Sequence, residues 1–234
     1  MVILAIETST KVCAAAVTAD GKVIAARIDR ENGNHARLLP VFVDELIHTL
    51  REKGLTLDAV ALSEGPGSYT GLRIGTSTAK GLCYGWNIPL IPVPTTEVLC
   101  ASYLEKQTVS NSSETLIPMI DARRMEVYTA QYDADIQPLT EIQACIVEGR
   151  ESIGTADEAV FFGDGAEKCK ALLETDKWHF VPEIVPDAAC MFKLAEKRFA
   201  AGKACMNTAE VAYYEPFYLK EFVAAKSHVK GLES

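Results

Sequence analysis

Short apolar runs alternate with polar turns at the start of the chain. Val2 to Ile6 is wholly apolar, as is typical of a strand buried on both faces. Two further apolar runs, 12–18 and 23–28, flank the pair Asp20 and Gly21, and this pattern predicts a β-hairpin. The chain therefore opens with three predicted strands.

A helical pattern follows these strands. Apolar residues between positions 38 and 50 recur at steps of three and four, which predicts one apolar helix face that ends at Gly54. Pro40 lies early in this segment, so we expect the regular helix to start near it or to be kinked there. A buried strand at 59–62 and a glycine-rich helix at about 70–86 come next.

A polar, serine-rich stretch at 105–114 divides the chain, and the pattern before it partly repeats after it. We predict, in order, a strand at 88–93, a helix at 95–104, strands at 116–120 and 126–132, a third strand within 136–147, a strand at 159–162, a helix ending near 174, and a helix capped by Asp187 that runs to Gly202.

Two lobes that each open with three strands and then alternate strands and helices predict a duplicated ribonuclease-H-like unit with mixed sheets. We place the N-terminal lobe at 1–104 and the C-terminal lobe at 105–234. The last predicted helix, near 218–225, could pack back on the first lobe.

The balance of charges limits the partners of the isolated chain. It has 32 acidic and 23 basic residues and a net charge of −9, so it has no general attraction for the phosphates of nucleic acids. Its seven cysteines form no C-x-x-C pair and are expected to be small buried side chains in a reducing cytosol. No apolar run approaches the length of a membrane span, and we expect a cytoplasmic location.

The stretch 63–75 (SEGPGSYTGLRIG) looks like a loop that holds a ligand. It lacks the G-x-x-x-x-G-K-[ST] order of the Walker loop. Gly65, Gly67 and Gly71 give G-x-G-x-x-x-G, which is one residue longer than the dinucleotide fingerprint. Neither standard phosphate loop is therefore present.

A tight strand-to-helix turn remains as the simplest interpretation. Ser68 or Thr70 could cap the helix, and such a helix start can also bind an anion. Gly71 and Gly75 lie one turn apart inside the predicted helix, as do Gly81 and Gly85. Because each glycine costs about 0.5–1 kcal/mol relative to alanine, we expect another backbone to press closely on this helix. That backbone could belong to the same chain or to a second one.

The segment Glu7 to Thr10 (ETST) ends the first predicted strand with an acid and three hydroxyls. It resembles the first phosphate loop of actin-like ATPases, and the alternative is a turn in which hydroxyls bind the backbone. The candidate nucleotide or anion contacts are Glu7, Thr8, Ser9, Thr10, Gly65 and Gly67. The four histidines form no H-x-x-x-H pair, so we predict no metal site.

Five segments together resemble one known family. They are ILAIETST (3–10), NHARLLP (34–40), GPGSYTGLRIG (65–75), DARRMEVY (121–128) and YLK (218–220). They resemble the bacterial TsaB (YeaZ) family, and the match runs in order over nearly the whole chain.

The resemblance implies an actin-like (ASKHA) fold and a role in forming threonylcarbamoyladenosine on tRNA, at the adenosine 3′ of the anticodon. It also implies that the chemistry belongs to a paralogous partner, TsaD, that an ATPase, TsaE, joins the assembly, and that tRNA is reached through the complex. The isolated chain would form homodimers through its N-terminal lobe. We expect no tightly bound cofactor, although ATP or ADP could lie at a partner interface.

The metal-binding histidine pair of the paralogue would fall near Thr95 and Leu99 in this chain. Threonine is a poor ligand for such a metal and leucine is none. The resemblance therefore implies a non-catalytic dimerisation subunit, and the alternative is an independent metal-dependent peptidase or ATPase.

The glycine-rich helix and the helix around 38–50 are the expected dimerisation surface. We expect Gly75→Leu to abolish pairing and to leave the monomer folded. The predicted interface residues are Leu39, Phe42, Val43, Leu46, Gly67, Tyr69, Thr70, Gly71, Leu72, Gly75, Thr76 and Ala79.

Overall fold

The computed structural model describes residues 1–30, 34–107, 114–154, 156–204 and 207–220. Its strands are β1 (Val2–Glu7), β2 (Cys13–Ala19), β3 (Lys22–Asp29), β4 (Ala59–Gly65), β5 (Leu90–Pro94), β6 (Thr115–Asp121), β7 (Glu126–Thr129), β8 (Gln143–Ile146), β9 (Ala159–Phe162) and β10 (Trp178–Val181). Its α-helices are α1 (His35–Glu52), α2 (Tyr69–Trp86), α3 (Thr95–Lys106), α4 (Lys170–Leu173), α5 (Phe192–Ala200) and α6 (Thr208–Tyr213).

The two halves of the chain form two sheets with the same strand order. The first sheet runs β3-β2-β1-β4-β5, and the second runs β8-β7-β6-β9-β10. In each sheet the first three strands pair antiparallel and the last two join in parallel. This repeat is the duplicated ribonuclease-H-like unit of the actin-like fold, which confirms the predicted fold class.

Helices cover the first sheet on both faces. Helices α1 and α2 bury Leu39, Leu46 and Ala79 on one face, and α3 and α5 bury Val98 and Ala195 on the other. The next residues of α3, from Leu99 onward, pack against the second sheet. Helix α3 therefore joins the two sheets through its opposite sides.

The C-terminal part of the chain returns to the first lobe. Helix α5 packs on β5, and α6 packs on α2. The backbone N–H of Phe217 donates to the carbonyl of Glu64 at 2.8 Å. The predicted boundary at 104 and 105 falls inside α3 and lies between the two sheets in sequence, and helices α5 and α6 of the second half pack on the first lobe.

Several predicted elements differ from the structure. Helix α1 starts at His35 and contains Pro40, because the carbonyl of Asn34 accepts from the N–H groups of Arg37 and Leu38 and starts the helix earlier. Strand β10 was not predicted.

The predicted last helix is wrong at 218–220, which is not helical, and 221–225 lie outside the described residues. Among the described residues, the six cysteines are free thiols, and five of them are buried. None of the helices in the described ranges is long and apolar enough to cross a membrane.

Candidate functional site

The turn between β4 and α2 is a capped helix start. Ser68, one of the two predicted caps, has an extended backbone, and its side chain accepts from the N–H of Gly71 at 3.3 Å. Its own N–H donates to the carbonyl of Ser9 at 2.6 Å. The turn is thus fixed to the loop that follows β1.

Three glycines let α2 approach that loop. A Cβ atom at Gly67 would lie 2.2 Å from the carbonyl oxygen of Ser9, and one at Gly71 would lie 2.0 Å from that of Thr8. At Gly75 it would lie 2.3 Å from Thr8 Oγ1. The Thr8 hydroxyl also donates to the Gly71 carbonyl at 2.8 Å. The backbone that presses on this end of α2 belongs to the same chain.

This packing limits which of the predicted interface residues are accessible on the folded chain. The predicted residues that are buried inside their own lobe are Leu39, Val43, Leu46, Gly71, Leu72, Gly75, Thr76 and Ala79. Phe42, Gly67 and Tyr69 are partly exposed, and Thr70 is exposed. A partner that docks on the folded chain meets only the second group.

Gly75→Leu would strain the monomer itself, because a Cβ atom at this position would already lie 2.3 Å from Thr8 Oγ1 in the same chain. In contrast, Gly81 and Gly85 face open space, since a Cβ atom at either position would meet nothing within 4 Å.

Glu7 is a buried acid at the end of β1. Its Oε1 accepts from the N–H of Ser9 at 2.6 Å and from the Ser9 hydroxyl at 2.5 Å, and its Oε2 has no partner. Burial raises the pKa of Glu7, although the hydrogen bonds from Ser9 and the nearby hydroxyl of Ser63 oppose the shift. Its carboxyl group therefore shapes the loop after β1 from inside the lobe.

A cleft of about 620 Å³ separates the loop after β1 from the second lobe. Of the six candidate anion contacts, Ser9, Thr10 and Gly67 line this cleft, whereas Glu7, Thr8 and Gly65 do not. The charged side chains that line it are Lys11, Asp121, Arg123, Asp164 and Lys220. Lys11 and Lys220 were not predicted as site residues.

Part of this charge is already paired within the chain. The ammonium of Lys168 donates to Asp121 and, at 2.7 Å, to the carbonyl of Glu126. Burial alone would raise the pKa of Asp121, but the hydrogen bonds from Lys168 and the N–H of Arg123 outweigh it and lower that pKa. Burial raises the pKa of Asp164, which accepts from the N–H of Asp121 at 2.9 Å.

Thr95 and Leu99, the positions predicted to match the paralogue's histidines, are packed into the protein. The Oγ1 of Thr95 lies 2.9 Å from the hydroxyl of Ser63, and Thr95 is fully buried. Leu99 belongs to the apolar cluster between α3 and the second sheet. Within the described ranges, no three His, Cys, Asp or Glu side chains are grouped as a metal site.

Comparisons with known proteins agree with this architecture. A family model described as TsaD: tRNA N6-adenosine threonylcarbamoyltransferase matches residues 29–227. The chain is 32% identical over 241 residues to the tRNA threonylcarbamoyladenosine biosynthesis protein TsaB of Escherichia coli K12, and the match covers 97% of each protein.

Two solved structures share the fold. YeaZ from Pseudomonas aeruginosa superposes with a TM-score of 0.77 at 25% identity and covers 93% of this chain and 99% of that one. A structure described as an uncharacterized protein with similarity to peptidase YEAZ from Pseudomonas aeruginosa gives a TM-score of 0.79 at 24% identity, with 94% and 99% covered. The chain therefore belongs to the TsaB (YeaZ) family.

Proposed function

We propose that this chain is a non-catalytic subunit of the assembly that forms threonylcarbamoyladenosine at the tRNA adenosine 3′ of the anticodon. It pairs with a catalytic TsaD-like paralogue, a TsaE-like ATPase joins the pair, and tRNA is bound through the complex. The name of the E. coli relative supports the pathway. The match to the transferase family model supports a structurally similar partner.

The packing of Thr95 and Leu99 supports the non-catalytic role. Both side chains are fully or almost fully buried, and the Thr95 hydroxyl contacts Ser63. Because neither residue type supplies the imidazole that such a metal site requires, the transferase chemistry is assigned to the partner.

The main support for this pairing comes from Gly81 and Gly85 on α2, which face open space. Gly67, Gly71 and Gly75 are explained by contacts within the chain, but a Cβ atom at Gly81 or Gly85 would meet no other part of the chain within 4 Å. A glycine inside an exposed helix destabilises it by about 1 kcal/mol relative to alanine. Close approach of a second chain at these two positions would account for that cost.

The neighbouring helix α1 adds an apolar side chain to the exposed surface. Val41 on α1 is 50% exposed, and Phe42 on α1 and Ile74 on α2 are partly exposed. We assign the homodimer of the isolated chain and the pair with the TsaD-like partner to this outer surface of α1 and α2. ATP or ADP at the partner interface stays a prediction.

The pairing is tested with Gly81→Leu. Leucine favours the helix and has space in the monomer, so circular dichroism should show an intact fold. Size-exclusion chromatography with the TsaD-like partner should show the complex lost, with affinity reduced more than about tenfold, since a large side chain prevents close backbone approach.

Ala200→Leu is the matched control. It places the same leucine side chain at an exposed position on α5, which covers the opposite face of the first sheet. This variant should bind the partner normally. Wild-type affinity in Gly81→Leu would contradict the assigned interface.

The name of one structural neighbour mentions a peptidase, which keeps independent catalysis as a second candidate. Metal analysis, peptide hydrolysis and ATP turnover on the purified chain distinguish the two. We expect no sustained turnover without partners, and stoichiometric metal together with turnover would favour the peptidase or ATPase.

A further inference from the structure

Residues 214–220, here called the strap, cross the chain from α6 towards the second lobe. The backbone N–H of Phe217 donates to the carbonyl of Glu64 at 2.8 Å. The Phe217 carbonyl lies so close to Gly65 that a Cβ atom there would be 2.5 Å away. The Tyr218 ring packs on the Tyr69 ring, with centroids 4.8 Å apart.

Charged groups hold both ends of the strap. At its start, the ammonium of Lys80 on α2 donates to the carbonyls of Ala212 and Tyr214 at 2.6 and 3.0 Å. At its end, Lys220 forms an ion pair with Glu126 on β7 at 2.5 Å. The strap therefore connects helix α2 of the first lobe to a strand of the second.

The strap also separates two cavities. Phe217 and Tyr218 line the cleft of about 620 Å³, and they also line a second cavity of about 650 Å³. The remaining residues that line the second cavity are Glu64, Pro94, Ile142, Glu215 and Pro216. If the strap moved away, the two cavities would become one continuous space between the lobes.

We propose that the strap is a releasable latch that closes this space, with the Lys220–Glu126 ion pair as its tie to the second lobe. Lys220 is 47% exposed and Glu126 is 17% exposed, and ion pairs of this exposure contribute little to stability. Short segments with few backbone hydrogen bonds open locally without global unfolding. A ligand or partner that engages Glu126 or Lys220 would open the space. The latch stands independently of the proposed function.

Hydrogen exchange on the whole chain tests the latch. Lys220→Met removes the charge and keeps the length of the side chain. Exchange of the strap amides should become about two- to tenfold faster, while peptides from both sheets keep their wild-type rates. Lys170→Met is the matched control, because it removes the exposed Lys170–Glu174 pair on α4 and should leave the strap unchanged.

Salt supplies a second measurement on the unmodified protein. Raising the ionic strength from 0.1 to 1 M shortens the Debye length from about 10 to about 3 Å, so strap exchange should accelerate in the wild type and stay constant in Lys220→Met. Strap exchange that is the same in Lys220→Met and the wild type would overturn the latch. So would equal acceleration throughout the chain, or equal salt sensitivity in both proteins.

Discussion

A methyl group added at Gly71 should force α2 away from the end of β1. The alanine Cβ would lie 2.0 Å from the carbonyl oxygen of Thr8, so the two backbones must separate by about 1.4 Å to reach the ordinary contact distance of 3.4 Å. Overpacking of this kind costs about 1–3 kcal/mol, and losing the Thr8–Gly71 hydrogen bond adds about 1 kcal/mol. Helix propensity returns at most about 1 kcal/mol, which leaves a net loss near 2 kcal/mol.

Thermal unfolding followed by circular dichroism at one fixed, low protein concentration measures this loss. For a chain of this length, about 2 kcal/mol lowers the Tm by about 4–8 °C. Gly81→Ala is the control on the same helix. It meets no atom within 4 Å and should raise the stability by about 0.5–1 kcal/mol. A Gly71→Ala protein as stable as the wild type, or an equal loss in Gly81→Ala, would refute the packing argument.

Two further predictions concern buried charge. Because burial raises the pKa of Glu7 above its ordinary value of 4.5, the folded state keeps a proton that the unfolded state has lost, and stability falls as the pH rises from that value to the folded pKa. Glu7→Gln lacks this titration. In urea unfolding, the free energy of unfolding of the variant should therefore rise relative to that of the wild type as the pH increases over this range. Parallel pH profiles of the two proteins would contradict a raised pKa of Glu7. Arg198 and Glu97 form a largely buried ion pair at 2.6 Å. Arg198→Met leaves the Glu97 charge unpaired and should lower the free energy of unfolding by about 3 kcal/mol, and adding Glu97→Gln should restore most of that stability in urea unfolding. A double variant as unstable as Arg198→Met would contradict this explanation.

The sequence predicted the repeated sheets because buried strands leave a strong local pattern. The segments 2–6, 59–62 and 159–162 are short runs of apolar residues, as is typical of strands that are buried on both faces. Strand β10 has only four residues and is partly exposed, so its pattern does not separate it from a loop. The start of α1 depended on Asn34, which no periodicity indicates.

The candidate site was predictable in kind but not in its contacts. Glycines in α2 indicated that a backbone comes close, yet the spacing of glycines does not identify that backbone. Thr8 and Ser9 supply it for Gly67, Gly71 and Gly75, and they are about sixty residues away along the chain. The same limit applies to Lys220, whose partner on β7 is set by tertiary packing that no local motif records.

Reconstitution of the tRNA modification tests the central claim most directly. The TsaD-like partner, this chain, and the two together would each be given the TsaE-like ATPase, ATP, tRNA and threonylcarbamoyl-adenylate, with modified adenosine measured by mass spectrometry. The account predicts no product from this chain alone, and more product when it joins the partner than from the partner alone. Gly81→Leu should fail to stimulate the partner. Product formed by this chain alone, or a partner that the chain does not stimulate, would contradict the account.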